Sequence, residues 1–164
     1  MNAGAFGGQI SDLVESVRVM DSDGEIKSMD KQSIDYGYRR GNLREQGKLI
    51  LSGRLLLTKG DRDSCLSLME TYMERRRQTQ PLELPSGGSV FRNPTGGGAG
   101  RYIDQAGLKG RQVGGAQISP KHANFIVNLG GASAADVLEL MDLSRNEVKD
   151  RFGVVLESEI VYWE

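Results

Sequence analysis

Residues 124–153 read NFIVNLGGASAADVLELMDLSRNEVKDRFG, and this stretch decides the fold class. Residues 124–128 form a short apolar run around Phe125, Ile126 and Val127, which predicts a buried strand. Beyond Gly130 and Gly131 the pattern changes period. From Ser133 to Phe152, the residues Val137, Leu138, Met141, Val148 and Phe152 share one helical stripe. Ser133 is the natural N-cap and Gly153 the natural stop. Residues 154–163 then read as a resumed strand or pair of strands. Strands and helices of this kind predict an α+β fold.

Upstream, residues 81–85 begin and end in proline, and residues 86–100 hold much of the chain's glycine. Such a shift marks a boundary between two lobes, residues 1–80 and 81–164. Residues 102–106 predict a short helix. Residues 63–78 predict a longer one, with Cys65, Leu66, Leu68, Met69, Tyr72 and Met73 on one stripe. Cys65 is expected to be a buried small hydrophobe there. Arg75, Arg76 and Arg77 suit the negative end of that helix dipole and read as a solvated helix end, phosphate binding being the alternative. Residues 48–58, with Leu49, Ile50, Leu51, Leu55, Leu56 and Leu57, predict a long buried strand ended by Lys59 and Gly60.

Residues 15–20 alternate as a strand does, Asp21-Ser22-Asp23-Gly24 supplies turn chemistry, and residues 25–28 return, so a β-hairpin is expected. The opening run, MNAGAFGG, has two readings. It is either a flexible start or a segment from inside a fold, where small residues let the backbone approach a planar ligand or cross another strand. No internal repeat is present.

Composition excludes several classes of function. The 164 residues carry 21 Lys and Arg against 22 Asp and Glu, a formal net charge of -1, which provides no long-range attraction to nucleic acid or anionic membranes. No run is apolar and long enough to span a bilayer and no secretory signal opens the chain, so a cytoplasmic protein is expected. A single Cys65 and a single His122 do not furnish a zinc set, and no acidic cluster has calcium-loop spacing, so no metal is expected.

Three segments are candidates for chemistry: residues 36–40 (YGYRR), the loop 85–94, and residues 156–160 (LESEI). A serine hydrolase is a poor fit, because His122 is the only imidazole and no G-x-S-x-G elbow is present. Gly96-Gly97-Gly98-Ala99-Gly100 before a short helix suits phosphate contact, but the Lys-Ser/Thr ending of a nucleotide-hydrolysing P-loop is absent.

Residues 87–94 (GGSVFRNP), residues 99–128 (AGRYIDQAGLKGRQVGGAQISPKHANFIVN) and residues 151–160 (RFGVVLESEI) together resemble the C-terminal domain of the UDP-N-acetylenolpyruvoylglucosamine reductase family. MNAGAFGG and YGYRRGNL (residues 36–43) resemble that family's middle region in the same order, so the resemblance covers essentially the whole chain. It implies the remainder of an FAD-binding lobe followed by a substrate-binding domain. It also implies the reduction of UDP-N-acetylglucosamine enolpyruvate to UDP-N-acetylmuramate for peptidoglycan precursor synthesis, with NADPH charging bound FAD.

That chemistry needs a flavin, a proton donor at the alkene and a group that steadies the substrate carboxylate as enolate charge develops. The resemblance implies Ser89 as the proton donor, although its residues alone make it a turn position. It implies Arg39 as the carboxylate holder, where the plain reading is a surface salt bridge, and Glu159 as the third catalytic residue, with Glu157 its rival should the register slip. Ser158 stands where the family has proline. Asn93 is implied beside the substrate diphosphate. Lys121, His122 and Asn124 are implied near the substrate pocket, where a lone histidine before an apolar strand is otherwise structural. Asn2 and Gly4 are implied beside the flavin, and Tyr38 and Arg40 as shaping the Arg39 loop.

The family places an FAD-binding domain ahead of the region matched by MNAGAFGG, and Met1 matches an internal position. The expectation is therefore a chain lacking its own flavin-holding domain, supplied in cis or by a second polypeptide. A non-catalytic UDP-sugar-binding module, half of a split enzyme and a structural remnant are the alternatives.

Overall fold

In the computed structural model, residues 2–163 are described, with the side chain of Arg44 excepted; Met1 and Glu164 lie outside the described residues. The chain divides into two compact units at residues 68 and 69.

The first unit opens with β1 (Gly4–Ala5) and β2 (Gly8–Gln9), paired antiparallel. Phe6 and Gly7 between them have φ of 52° and 84°, the double positive φ of a tight hairpin turn whose twist matches its strands. Residues 4–9 thus form a hairpin, the folded segment of the two alternatives for this opening run. After α1 (Ile10–Leu13) come β3 (Val14–Met20) and β4 (Ile26–Asp30), the expected hairpin, turned at Gly24 with φ of 84°. Lys48 and Lys27 both bind the Asp21 carboxylate at that turn, and their ammonium groups hold it below its ordinary pKa. The short pair β5 (Tyr36–Gly37) and β6 (Arg40–Gly41), α2 (Asn42–Glu45) and β7 (Leu49–Leu55) follow.

The main sheet of this unit has the order β4-β3-β7. Val14, Val17 and Val19 of β3 pack with Ile34 and Leu43 into a small core. β7 forms where the sequence places it, but it is not buried: all seven of its residues are exposed, with Ile50 at 55% and Leu55 at 46%. It pairs with β3 alone, at the sheet edge, so the apolar run produces a strand without covering its side chains.

α3 (Arg62–Thr79) is the long helix expected over residues 63–78, yet it buries no residue. Its apolar stripe includes Leu66 and Met69, both exposed, and Cys65 is exposed as well, contrary to the buried thiol expected. An apolar helical period fixes which side chains share a face, not whether anything covers that face.

The second unit contains the sheet β8 (Ser86–Ser89), β11 (Phe125–Asn128), β10 (Ala116–Ile118) and β9 (Gln112–Val113), antiparallel throughout in that order. Two helices complete it, α4 (Ala99–Gln105) and α5 (Ala134–Phe152). α5 packs against α4, β9 and β10. Its ends follow the sequence reading: Ser133 and Asp136 form a reciprocal capping box, and Gly153 closes the helix with φ of 67°. α4 starts three residues before the expected position. Its first free N–H, on Ala99, is met by the side-chain oxygen of Asn93 at 3.0 Å, a partner outside any local capping pattern.

Leu140, Met141, Val148, Ile103, Ile118, Val90 and Phe91 are central to one continuous core. Residues 154–163 do not form the expected strands. Among the described residues they contribute a single bridge, Ser158 to Phe91. The mixed helix and sheet content is α+β, as expected.

Candidate functional site

β8 continues through Val90, Phe91 and Arg92, and the terminal segment runs antiparallel beside that extension. The Glu159 N–H donates to the Val90 carbonyl at 2.8 Å, and the Arg92 N–H to the Glu157 carbonyl at 2.9 Å. Glu159 is thereby fixed next to the residue that follows Ser89. Ser89 itself ends β8 opposite Phe125 and is half-buried. The two glutamates differ in their surroundings: the Glu157 side chain is 73% exposed and paired with Arg92 at 3.6 Å, whereas Glu159 is half-buried. Ser158 closes the local turn with its own hydroxyl, which donates to the Ile160 carbonyl at 2.8 Å.

Asn124 holds this arrangement from the other side. It is 3% exposed, its side-chain oxygen accepts the Phe91 N–H at 3.0 Å, and its amide donates to the Phe91 carbonyl at 2.8 Å. Its own carbonyl accepts the Val90 N–H at 2.9 Å. The Asn124 side chain thus pairs with Phe91 as a neighbouring strand would, and its bonding groups are directed to the backbone.

His122, Lys121 and Asn93 meet in a cleft of about 410 Å³, lined also by Gly98, Gly100, Arg101, Asp104, Lys109 and Ala123. Gly100 makes room for the imidazole: a Cβ there would lie 3.1 Å from His122 Cε1. The ring stands edge-on to Phe125 at 4.9 Å, and its Nδ1 accepts the Asn124 N–H at 3.2 Å, which assigns the proton of the neutral ring to Nε2. Burial, with the charge of Lys109 adding to it, lowers the His122 pKa below its ordinary value, so the neutral form holds near neutrality. Lys121 pairs with Glu83 at 3.4 Å and Lys109 with Asp104 at 2.7 Å. Sequence reasoning missed Arg101, Asp104 and Lys109. The i,i+3 spacing of Arg101 and Asp104 on α4 was the signal that put two of them on one face.

In the first unit, Arg39 lies at the turn between β5 and β6 with φ of 54°, a left-handed backbone that a non-glycine residue seldom adopts. Its guanidinium lies 5.5 Å from the centre of the Tyr38 ring. The adjacent Arg40 pairs with Asp35 and Glu45 at 3.4 and 3.0 Å. Asn2 ties this hairpin to the opening one: its amide reaches Gln9 at 2.9 Å and the Gly37 carbonyl at 3.3 Å, and its oxygen accepts the Ser11 N–H at 3.0 Å. At Gly4, a Cβ would come within 3.1 Å of the Gly8 carbonyl, so closure of the opening hairpin favours glycine. Asn2, Ala3, Gly8, Ile10 and Leu13 line an open cleft of about 550 Å³, in which Ile10 and Leu13 are exposed.

Comparisons with known proteins place these features in one family. Residues 80–163 match the family described as UDP-N-acetylenolpyruvoylglucosamine reductase, C-terminal domain. UDP-N-acetylenolpyruvoylglucosamine reductase 2 of Symbiobacterium thermophilum is 47% identical over 163 residues, 99% of this chain and 53% of its own length. The reductase of Lachnoclostridium phytofermentans is 43% identical, over 98% of this chain and 52% of its own. The chain thus spans about half the length of the curated relatives it matches. The crystal structure of the UDP-N-acetylenolpyruvylglucosamine reductase of Thermus caldophilus superposes with a TM-score of 0.83 at 38% identity, covering all of this chain and 58% of that one. By its sequence and its fold, this chain belongs to the UDP-N-acetylenolpyruvoylglucosamine reductase family.

Proposed function

We propose that the chain supplies the substrate-handling part of a UDP-N-acetylenolpyruvoylglucosamine reductase, acting in the cytoplasm in peptidoglycan precursor synthesis. The observation that carries this reading is the backbone bond from Glu159 to Val90, which sets the half-buried glutamate beside Ser89 within a family named for that reaction. FAD, reduced by NADPH, would supply the hydride. Asn2 and Gly4, with the open cleft at the first hairpin, would provide one wall beside it, and the rest of the flavin site would come from a further segment, in cis or in trans.

In this reading Arg39 holds the substrate carboxylate with its planar fork of donors, opposing the charge that builds there as the alkene is reduced. The Ser89 hydroxyl gives its proton to the neighbouring carbon. Serine is a weak acid, so the transfer depends on a strongly basic acceptor and on polar groups steadying the alkoxide. Glu159 orders the proton-donor end, and Asn93, Lys121 and His122 hold the nucleotide-sugar. Asn124 supports them through Phe91.

The test uses the chain completed with a flavin-holding segment and follows flavin absorbance in each half-reaction. Ser89→Ala should leave reduction by NADPH intact and slow reoxidation by the enolpyruvyl substrate by about 10²-fold or more. Equal loss of both half-reactions would remove Ser89 from the proton-donor role.

A second reading, a UDP-sugar-binding module without turnover, is favoured by the self-contained core of the second unit. It predicts UDP-sugar binding by the chain alone and no gain of reductase activity when a flavin-holding segment is added.

A further inference from the structure

Glu159 stands between two hydrogen bonds that fix its backbone, and only one of them belongs to the strand pairing. Its N–H donates to the Val90 carbonyl at 2.8 Å, which sets its position along the extension of β8. On its other side the Ser158 hydroxyl reaches past it to the Ile160 carbonyl at 2.8 Å. A side-chain bond from one residue to the carbonyl two residues on spans a single Cα, so this one restricts the backbone of Glu159 itself. Ile160 is seated in turn. A Cβ on Gly87 would lie 3.5 Å from Ile160 Cδ1, so the isoleucine covers the open side of a glycine two residues before Ser89.

Ser158 can serve in this way because the strand pairing does not use its backbone. It faces Phe91 in an antiparallel bridge whose flanking bonds are made by Glu157 and Glu159, which makes 158 and 91 a non-hydrogen-bonded pair. The strand opposite is held firmly, since Asn124 engages both backbone groups of Phe91. The segment carrying Glu159 is held less firmly. Val161, Tyr162 and Trp163, which follow Ile160, are 62, 55 and 87% exposed. The Ser158 bond therefore closes the packed segment at the point where it passes into exposed residues, and local opening starts from such points.

We infer that Ser158 is a positioning residue: its hydroxyl latches the backbone around Glu159 and so keeps the glutamate in register with Ser89. Ser158 acts through Glu159 and not on the substrate. The catalytic consequence rests on the reductase reading; the latch does not.

Ser158→Thr and Ser158→Val introduce side chains of the same shape, and only threonine keeps a hydroxyl for the Ile160 carbonyl. In the chain as it stands, amide hydrogen exchange followed by NMR tests the latch. Ser158→Val should quicken exchange at the Glu159 amide about fivefold and exchange within α5 less than about twofold, whereas Ser158→Thr should leave both within about twofold of the parent. Equal exchange in the two variants, or acceleration spread through α5, would overturn the latch.

In the chain completed with a flavin-holding segment, Ser158→Val should leave flavin reduction by NADPH unchanged. It should slow reoxidation by saturating enolpyruvyl substrate about fivefold, with the half-saturating concentration within about twofold, and Ser158→Thr should restore the rate. Equal slowing of both half-reactions, or a raised half-saturating concentration at an unchanged saturated rate, would overturn the positioning role. A parent enzyme that NADPH reduces and the enolpyruvyl substrate does not reoxidise would remove the reductase reading, while a difference in exchange between the two variants would still support the latch.

Discussion

The two units solve the problem of burying apolar side chains to different extents. Among the described residues, the second gathers fourteen buried apolar residues into one cluster, and the first gathers five. In the second, α5 covers strands β9 and β10, and Leu140 and Val148 have no exposed surface. In the first, β7 presents Leu49, Ile50, Leu51 and Leu55 at 44 to 56% exposure. Both units have strands, turns and caps of ordinary quality. The difference lies in packing, so stability should be concentrated in the second unit, together with Ser89 and Glu159.

The largest effect should come from the centre of that core. Leu140 is fully buried on α5, and Leu140→Ala should lower the unfolding free energy by about 3 kcal/mol through lost burial and the cavity left behind. Urea unfolding followed by circular dichroism measures it. A loss below about 1 kcal/mol would mean that the core closes around the gap, and the contrast between the units would weaken.

Asn124 should rank next. Asn124→Ala strips both partners from the Phe91 backbone, leaving a buried N–H and a buried carbonyl unpaired, at a cost of about 2 kcal/mol. Because the same clamp sets the strand between Ser89 and Glu159, hydrogen exchange at the Glu159 amide should quicken more than exchange within α5. Uniform acceleration across the unit would show a global loss of stability rather than a local loosening of the site.

What the sequence made legible follows the range of the forces involved. The ends of α5 were readable because Ser133, Asp136 and Gly153 act within a turn of the residues they cap. The start of α4 was not, because its N–H partner is the Asn93 side chain six residues upstream. A run of leucines announces β7 as a strand, but what covers a strand is a property of tertiary contacts, and burial there was misread. At the site, Ser89 and Glu159 were named through resemblance, since neither has a local pattern that signals chemistry. Asn124 was assigned to substrate for the same reason; its clamp on Phe91 joins residues 33 apart and leaves no trace in local spacing.

The smallest effect on stability should come from β7, where it sharpens the comparison most. Ile50 pairs with Val19 in the ladder, yet its side chain is 55% exposed while that of Val19 is fully buried. Ile50→Lys removes apolar surface that is already in water, so the unfolding free energy should move by no more than about 0.5 kcal/mol. Contiguous exposed apolar surface on an edge strand favours association, and a lysine there opposes edge pairing. Gel filtration over a range of concentrations should therefore show the variant less associated than the parent chain, with its unfolding midpoint unchanged. A destabilisation approaching that of Leu140→Ala would require Ile50 to be covered in solution, and the first unit would then hold a packed face comparable to the second.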